Sequence, residues 1–246
     1  MLPNSRFLIS LATYNERENL PILTAQIFEF ASDVDILVID DSSPDGTADW
    51  VEEQMRNNPR FKLIKRSGKL GLGTAVLAAV DYAVQNNYDF LINMDADLSH
   101  PPRFLPAIRS KAEEGFDVVI GSRYIPGGNI EGWSLSRRLM SRSINIYARW
   151  LLNLNTRDNS GSFRCYRTTL LSRLDPKSIL SSGYSFFEEI LFRLRKLGGT
   201  FTEIPITFEE RRIGQSKLNM KEAFTALWLL MRIGILEHLK FFYLFK

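Results

Sequence analysis

The 246 residues are 45% hydrophobic, too apolar for a disordered chain, and long enough for one large domain with room for a helical appendage. Lys and Arg number 31 against 28 acids, a net charge of +3 that is too mild for bulk-charge binding of nucleic acid, and no nucleic-acid partner is expected. The lone Cys165 excludes an internal disulfide and fits a reducing, cytosolic compartment; His100 and His238 alone cannot build a Cys/His zinc cluster; and Met1 to Arg6 carries no secretory pattern.

Phe7 to Ala12 reads as a first strand, and Glu18 to Phe30 as a helix with Leu20, Leu23, Ile27 and Phe30 at three- and four-residue spacing. Asp35 to Ile39 is a second strand, followed by the turn Ser42-Ser43-Pro44-Asp45-Gly46 and a helix through Trp50, Val51 and Met55. Phe61 to Ile64 makes a third strand and Thr74 to Gln85 a helix. A fourth strand from Phe90 ends at Asp95, a helix covers Pro102 to Glu114, and Asp117 to Ile120 is the fifth strand. This alternation predicts an α/β domain with a parallel, doubly wound sheet, whose ligands sit at the carboxyl ends of strands. Tyr14 to Glu16, Asp40-Asp41, Asp95 to Asp97 and Arg123 all follow strands.

The second half departs from simple alternation. Ser136 to Leu154 predicts a basic amphipathic helix, with Leu139, Ile146, Tyr147, Trp150 and Leu154 on one side and Arg138, Arg142 and Arg149 on another. Such a helix suits a membrane surface, and equally a core contact with a solvated Arg face; the segment alone leaves both open. Asn219 to Lys246 is very apolar, but Arg232, Glu237, His238 and Lys240 interrupt it. It falls short of the ~18 or more uncharged residues of a spanning helix and reads as interfacial or partner-docking.

Asp95-Ala96-Asp97 places two like charges at i and i+2 on a strand end. They repel unless a proton or cation compensates them, and hard divalent ions take oxygen ligands of this sort, so the pair points to metal-bridged phosphate. Solvated acids in a strand-end turn are the plainer alternative. Tyr14 could stack on a nucleobase with Glu16 accepting hydrogen bonds beside it, while Asn15 and Glu18 also fit a capping box. Asp41, after the second strand, repeats the carboxylate theme or forms an Asx-type turn. Gly71-Leu72-Gly73 lacks the third Gly of a dinucleotide fingerprint and follows the wrong strand. No His is placed to form a nucleophilic triad with Ser or Cys.

Together, Tyr14-Asn15-Glu16-Arg17-Glu18-Asn19, Ile39 to Thr47, Leu70-Gly71-Leu72-Gly73-Thr74-Ala75 and Asp95-Ala96-Asp97-Leu98-Ser99-His100-Pro101 resemble the dolichol-phosphate mannose synthases, within the inverting family-2 glycosyltransferases. Gly121-Ser122-Arg123-Tyr124, Gly132-Trp133, Ser160 to Arg164 and Arg211 to Lys217 continue the resemblance. It implies a GT-A fold over residues 1–217, including the amphipathic helix, with 218–246 as a C-terminal apolar helix. It also implies transfer of mannose from GDP-mannose to a dolichyl or polyprenyl monophosphate with Mg²⁺ or Mn²⁺, the activity of a dolichyl-phosphate β-D-mannosyltransferase. UDP-sugar transfer of glucose or N-acetylglucosamine, and an idle nucleotide-binding subunit, stay open beside it.

The residue roles implied are these. Ala12, Tyr14, Glu16, Ile39 and Asp41 match donor-nucleotide positions, and Asp95, Ala96 and Asp97 the diphosphate and metal positions. Ser99, placed with Asp95 and Asp97 in the implied metal set, stands where some relatives have a metal-coordinating Gln, Ala12 where many have Pro, and Phe187 where a Gln is common. Arg123, Arg211 and Lys217 match phosphate contacts; Arg123 and Arg137 match the acceptor-phosphate pair; Asp97, Arg123 and Arg137 form the catalytic set. The implied setting is peripheral, on the cytoplasmic face of a membrane, with a small membrane subunit as a possible partner.

Overall fold

The computed structural model describes residues 5–183, 185–210 and 227–235. The first half alternates as its apolar periodicity dictates: β1 (Phe7–Thr13), α1 (Asn19–Phe30), β2 (Asp35–Asp40), α2 (Thr47–Asn57), β3 (Phe61–Lys65), α3 (Leu72–Gln85) and β4 (Phe90–Asp95). A 3₁₀ turn over Pro102–Phe104 leads into α4 (Leu105–Glu113), and β5 (Val118–Ser122) follows. Leu20, Leu23 and Ile27 of α1 are buried, whereas Phe30, at the same spacing, is 40% exposed at the helix end.

The capping box does not form. The N-cap of α1 is Glu18, whose side chain makes no capping bond, and Asn15 instead takes a left-handed backbone (φ 61°) with its amide on Ser43 Oγ. That bond bends the loop after β1 toward the loop after β2.

The second half contains β6 (Asn129–Ile130), α5 (Leu135–Leu151), β7 (Arg164–Arg167), α6 (Thr168–Leu171), α7 (Phe186–Lys196), β8 (Phe201–Pro205) and β9 (Thr207–Phe208). The main sheet runs β3-β2-β1-β4-β7-β5-β8, and β6 pairs with β9 in a small second sheet. All neighbours in the main sheet are parallel except β7, which lies antiparallel between β4 and β5. This insertion sets the site: the segment entering β7 reaches the sheet at the edge where β4 and β5 end. The register aligns that edge, pairing Thr13 with Asp40 and Ala12 with Asp95.

Apolar cores cover both sheet faces, one under α3 and α7, the other under α1, α2 and α4. Described residues of the C-terminal segment, 227–235, are helical; Leu230 and Ile233 are buried in the first core, and Gly234 lies so close to Leu151 that a Cβ would fall 2.8 Å from its Cδ1. This part of the tail shares the core of the α/β sheet. Among the described residues, no helix is long and apolar enough to cross a membrane.

Candidate active site

Parallel strands end together, so the residues that follow them meet. Arg66, one step beyond β3, closes on Asp41 beyond β2, with both Nε and Nη2 at 2.5 Å from Oδ1, and its Nη1 donates to Thr74 Oγ1 at the start of α3. Tyr14, beyond β1, lies under Lys69 Nζ, 3.5 Å from its ring centroid. Glu16 accepts from Asn19 Nδ2 at 2.7 Å. Asp40 turns inward, accepting from Thr13 and Ser43. Ala12 and Ile39 are the strand residues beneath this group. The Gly71 turn (φ 96°) tolerates no side chain: a Cβ would lie 2.5 Å from Ser182 O, which accepts the Gly73 amide at 3.0 Å.

The two acids of the Asp95–Asp97 turn are held differently. Asp95 keeps a third of its side chain exposed and accepts from Ser162 Oγ at 2.7 Å; Ser162 O in turn accepts from Asn93 Nδ2. Asp97 is buried, and its Oδ1 accepts both the amide (3.1 Å) and the hydroxyl (2.5 Å) of Ser99. Ser99 is fully buried and orients Asp97 from behind, while Leu98 between them is left-handed (φ 65°) and Ala96 is buried. His100 Nδ1 accepts the Asp95 amide at 3.1 Å, with the ring stacked on Phe163. Burial pulls its pKa down, against the pull of Asp95 and Asp97, so the imidazole stays neutral, as an accepting Nδ1 requires.

Arg123, the first residue after β5, is clamped by Asp158 from the segment entering β7. Nε and Nη2 each lie 2.7 Å from a carboxylate oxygen, and Nη2 also donates to Ser160 Oγ. Burial opposes charge on both groups, yet their mutual attraction wins: the guanidinium is pushed further up and Asp158 well below the usual carboxylate range. Nη1 is the corner of the Arg123 fork that no described residue engages. Arg137, in the first turn of α5, lies 4.0 Å from the Trp133 ring centroid, and Arg123 lies 5.6 Å from the same ring. Glu210 Oε1 accepts weakly from Arg137 Nη1 at 3.4 Å.

The structure thus brings Ala12, Tyr14, Glu16, Ile39, Asp41, Asp95, Ala96, Asp97, Ser99, Arg123 and Arg137 to one sheet edge. Arg211 and Lys217 lie outside the described residues. Asp158, Arg66 and Lys69 are site residues to which sequence reasoning assigned no role, and Ser162 entered it only within the Ser160 to Arg164 motif; because β7 is polar at both ends, nothing in the sequence marked Asp158. Phe187, at the departing Gln position, is buried with its ring 5.2 Å from the Arg164 guanidinium.

A mostly parallel sheet flanked by helices, with paired carboxylates and clamped arginines on its carboxyl edge, defines a GT-A glycosyltransferase. Residues 9–175 match the glycosyl transferase family 2 profile, and the chain belongs to that family. It is 39% identical over 225 residues to the polyprenol monophosphomannose synthase of Mycolicibacterium smegmatis, covering 90% of this chain and 85% of that protein. It is 40% identical over 214 residues to the undecaprenyl-phosphate mannosyltransferase of Micrococcus luteus, covering 87% and 88%. Among solved structures it resembles glucosyl-3-phosphoglycerate synthase from Mycobacterium tuberculosis with Mn²⁺, UDP and glucosyl-3-phosphoglycerate (TM-score 0.65, 17% identity, 95% of this chain and 80% of that one). A mannosyltransferase from Pyrobaculum calidifontis with GDP-Man and Mn²⁺ shares the fold too (TM-score 0.57, 16% identity, 87% and 59%).

Proposed function

We propose that this chain is an inverting mannosyltransferase that moves mannose from GDP-mannose to a polyprenyl or dolichyl monophosphate at the cytoplasmic face of a membrane. The observation that carries this reading is the meeting, on one sheet edge, of an acid pair (Asp95, Asp97) with an arginine pair sharing one indole (Arg123, Arg137). Its relatives' names support mannose and a polyprenyl phosphate.

Asp95 and Asp97 offer the hard oxygen donors that fit Mg²⁺ or Mn²⁺, with Ser99 holding Asp97 in place. Among the described residues no three His, Cys, Asp or Glu converge, so phosphate oxygens and water would complete the shell. Such an ion would neutralise charge on the departing diphosphate. Tyr14, Glu16 and Asp41 would hold the nucleoside, and Arg211 and Lys217 would add phosphate contacts.

A phosphate monoester is largely anionic near neutral pH, so the acceptor needs no general base. Arg123 and Arg137 orient it, the Arg fork matching phosphate oxygens. One of those oxygens attacks the anomeric carbon from the face opposite the GDP leaving group; the carbon–oxygen bond to GDP breaks as the new one forms, inverting the centre. Positioning and charge stabilisation supply the catalysis.

A donor panel of GDP-mannose, UDP-glucose and UDP-N-acetylglucosamine with a short polyprenyl phosphate tests the reading. Turnover is expected with GDP-mannose alone, and Asp97→Asn should reduce it by about 10²–10³ while the fold persists. A preference for either UDP-sugar overturns the donor; no turnover with any donor favours an idle subunit.

A further inference from the structure

A cavity of about 250 Å³ opens beside α5, lined by Tyr124, Arg142, Asn145, Ile146, Arg149 and Arg157. Half of its lining is arginine, and no carboxylate lines it. Arg142 and Arg149 are two turns apart on one side of the helix, and Arg157 reaches the cavity from the loop before Asp158. The neighbouring acids are engaged elsewhere. Asp158 closes on Arg123, and Glu203 accepts the backbone amides of Arg157 and Asp158 at 2.8 and 3.0 Å. Among the described residues no ion pair compensates the three guanidinium groups, so the cavity presents uncompensated positive charge suited to an anion.

The floor is rigid. Asn145, 2% exposed, donates to Ser141 O and Ser160 Oγ and accepts the amides of Asn159 and Ser160, while the Tyr124 hydroxyl donates to Ser141 Oγ. Ser160 Oγ also accepts from Arg123, so the floor is continuous with the acceptor arginine. The rim is apolar: Ile146 is 61% exposed and shares a helix side with Leu139 and Trp150.

We infer that this cavity is a second phosphate site, distinct from the Arg123–Arg137 pair, which holds the headgroup of a membrane lipid with its hydrocarbon along Ile146 and Trp150. Arginine forks suit phosphate oxygens, and the exposed apolar stripe suits the acyl or isoprenoid chain. The headgroup belongs either to an anionic phospholipid that seats the enzyme or to the acceptor lipid on its way to Arg123. The inference rests on the proposed function only in placing the enzyme at a lipid surface.

The test compares the full-chain wild type, Arg149→Gln/Arg157→Gln, the single Arg157→Gln, and a charge-matched control, Arg56→Gln/Lys177→Gln, on other elements. Each is sedimented with vesicles of phosphatidylcholine alone, with added phosphatidylglycerol, or with added polyprenyl phosphate, and each is titrated with GDP. The cavity variants should lose about tenfold or more in partition to a phosphate-bearing vesicle, with the control and GDP binding unchanged. Loss confined to phosphatidylglycerol identifies the phospholipid; loss confined to polyprenyl phosphate identifies the acceptor. Equal partition of all proteins, or an equal loss in the charge control, overturns the site. Failure of the wild type to bind any vesicle overturns the lipid-surface reading with it.

Discussion

Glu188 lies in the first turn of α7, 3% exposed, with Oε2 lacking a hydrogen-bond partner, and its electrostatic neighbour Arg164 likewise keeps Nε unpartnered among the described residues. Burial pushes its pKa up from 4.5 to about 7, despite the pull of Arg164 and Arg123. The unfolded chain releases this proton near its ordinary value while the folded chain keeps it, so stability falls as pH rises between those two values and levels off above about 7. At 1.36 kcal/mol per unit the total is about 3 kcal/mol, an upper figure for a group that can relax. Glu188→Gln should therefore melt close to wild type at pH 5 and several degrees higher at pH 8; parallel melting curves at both pH values would refute the buried neutral carboxyl. Asp158 behaves oppositely, its lowered pKa contributing stability that is lost only as pH falls through the acid range. The sequence displayed both acids but not their surroundings, because the Arg123 clamp on Asp158 and the burial of Glu188 with Oε2 unpartnered arise from elements far apart along the chain.

The elements that bear the carboxylates were readable because strands buried on both faces are written as apolar runs, and Asp95 could only mark an end. β7 was not readable: Arg164-Cys165-Tyr166-Arg167 is polar at both ends, and only the structure satisfies those ends, with Arg164 donating to the carbonyls of Phe187 and Asn159 and Arg167 to Asp117. α5 corrects the sequence expectation more directly. Its buried residues are Asn145 and Ala148, Leu154 falls beyond the helix in the core, and Tyr147 is half-buried, while Leu139, Ile146 and Trp150 face outward beside the Arg stripe. Periodicity found the two stripes but could not tell which faced the core, since the helix is anchored by amide hydrogen bonds rather than by its largest apolar residues. The same helix presents Arg137 to the site. If Arg137 holds acceptor phosphate, Arg137→Ala removes a charge-assisted bond worth about 1.5–3 kcal/mol, raising the Michaelis constant for lipid, or lowering turnover, by tenfold or more. GDP affinity should stay within about twofold of wild type. An equal loss of GDP affinity would move Arg137 to the donor side.

Across the whole molecule, Leu139, Ile146 and Trp150 (79% exposed) on α5 and Trp228, Met231 and Ile235 on the C-terminal helix leave apolar surface on two segments that pack together through Leu151 and Gly234. Large exposed apolar side chains flanked by arginines favour an interface where hydrocarbon burial and anionic headgroups add. The sequence announced both segments, and Leu230 and Ile233 of the C-terminal helix are buried in the core under α3 and α7. Glu237, His238 and Lys240, which interrupt the terminal run, lie outside the described residues. Burying a large apolar side chain contributes about 1.5–3 kcal/mol, so Leu139→Ala with Trp150→Ala, neither of which lines the arginine cavity, should weaken vesicle partition at least tenfold. Flotation with anionic liposomes measures this, and high salt should weaken wild-type binding only partly because the apolar contribution is unscreened. Alkaline carbonate should then strip the protein from the vesicles. Retention after carbonate would mean that the terminal segment spans the bilayer, and failure of the wild type to float alone would mean that the apolar faces dock onto a separate membrane subunit.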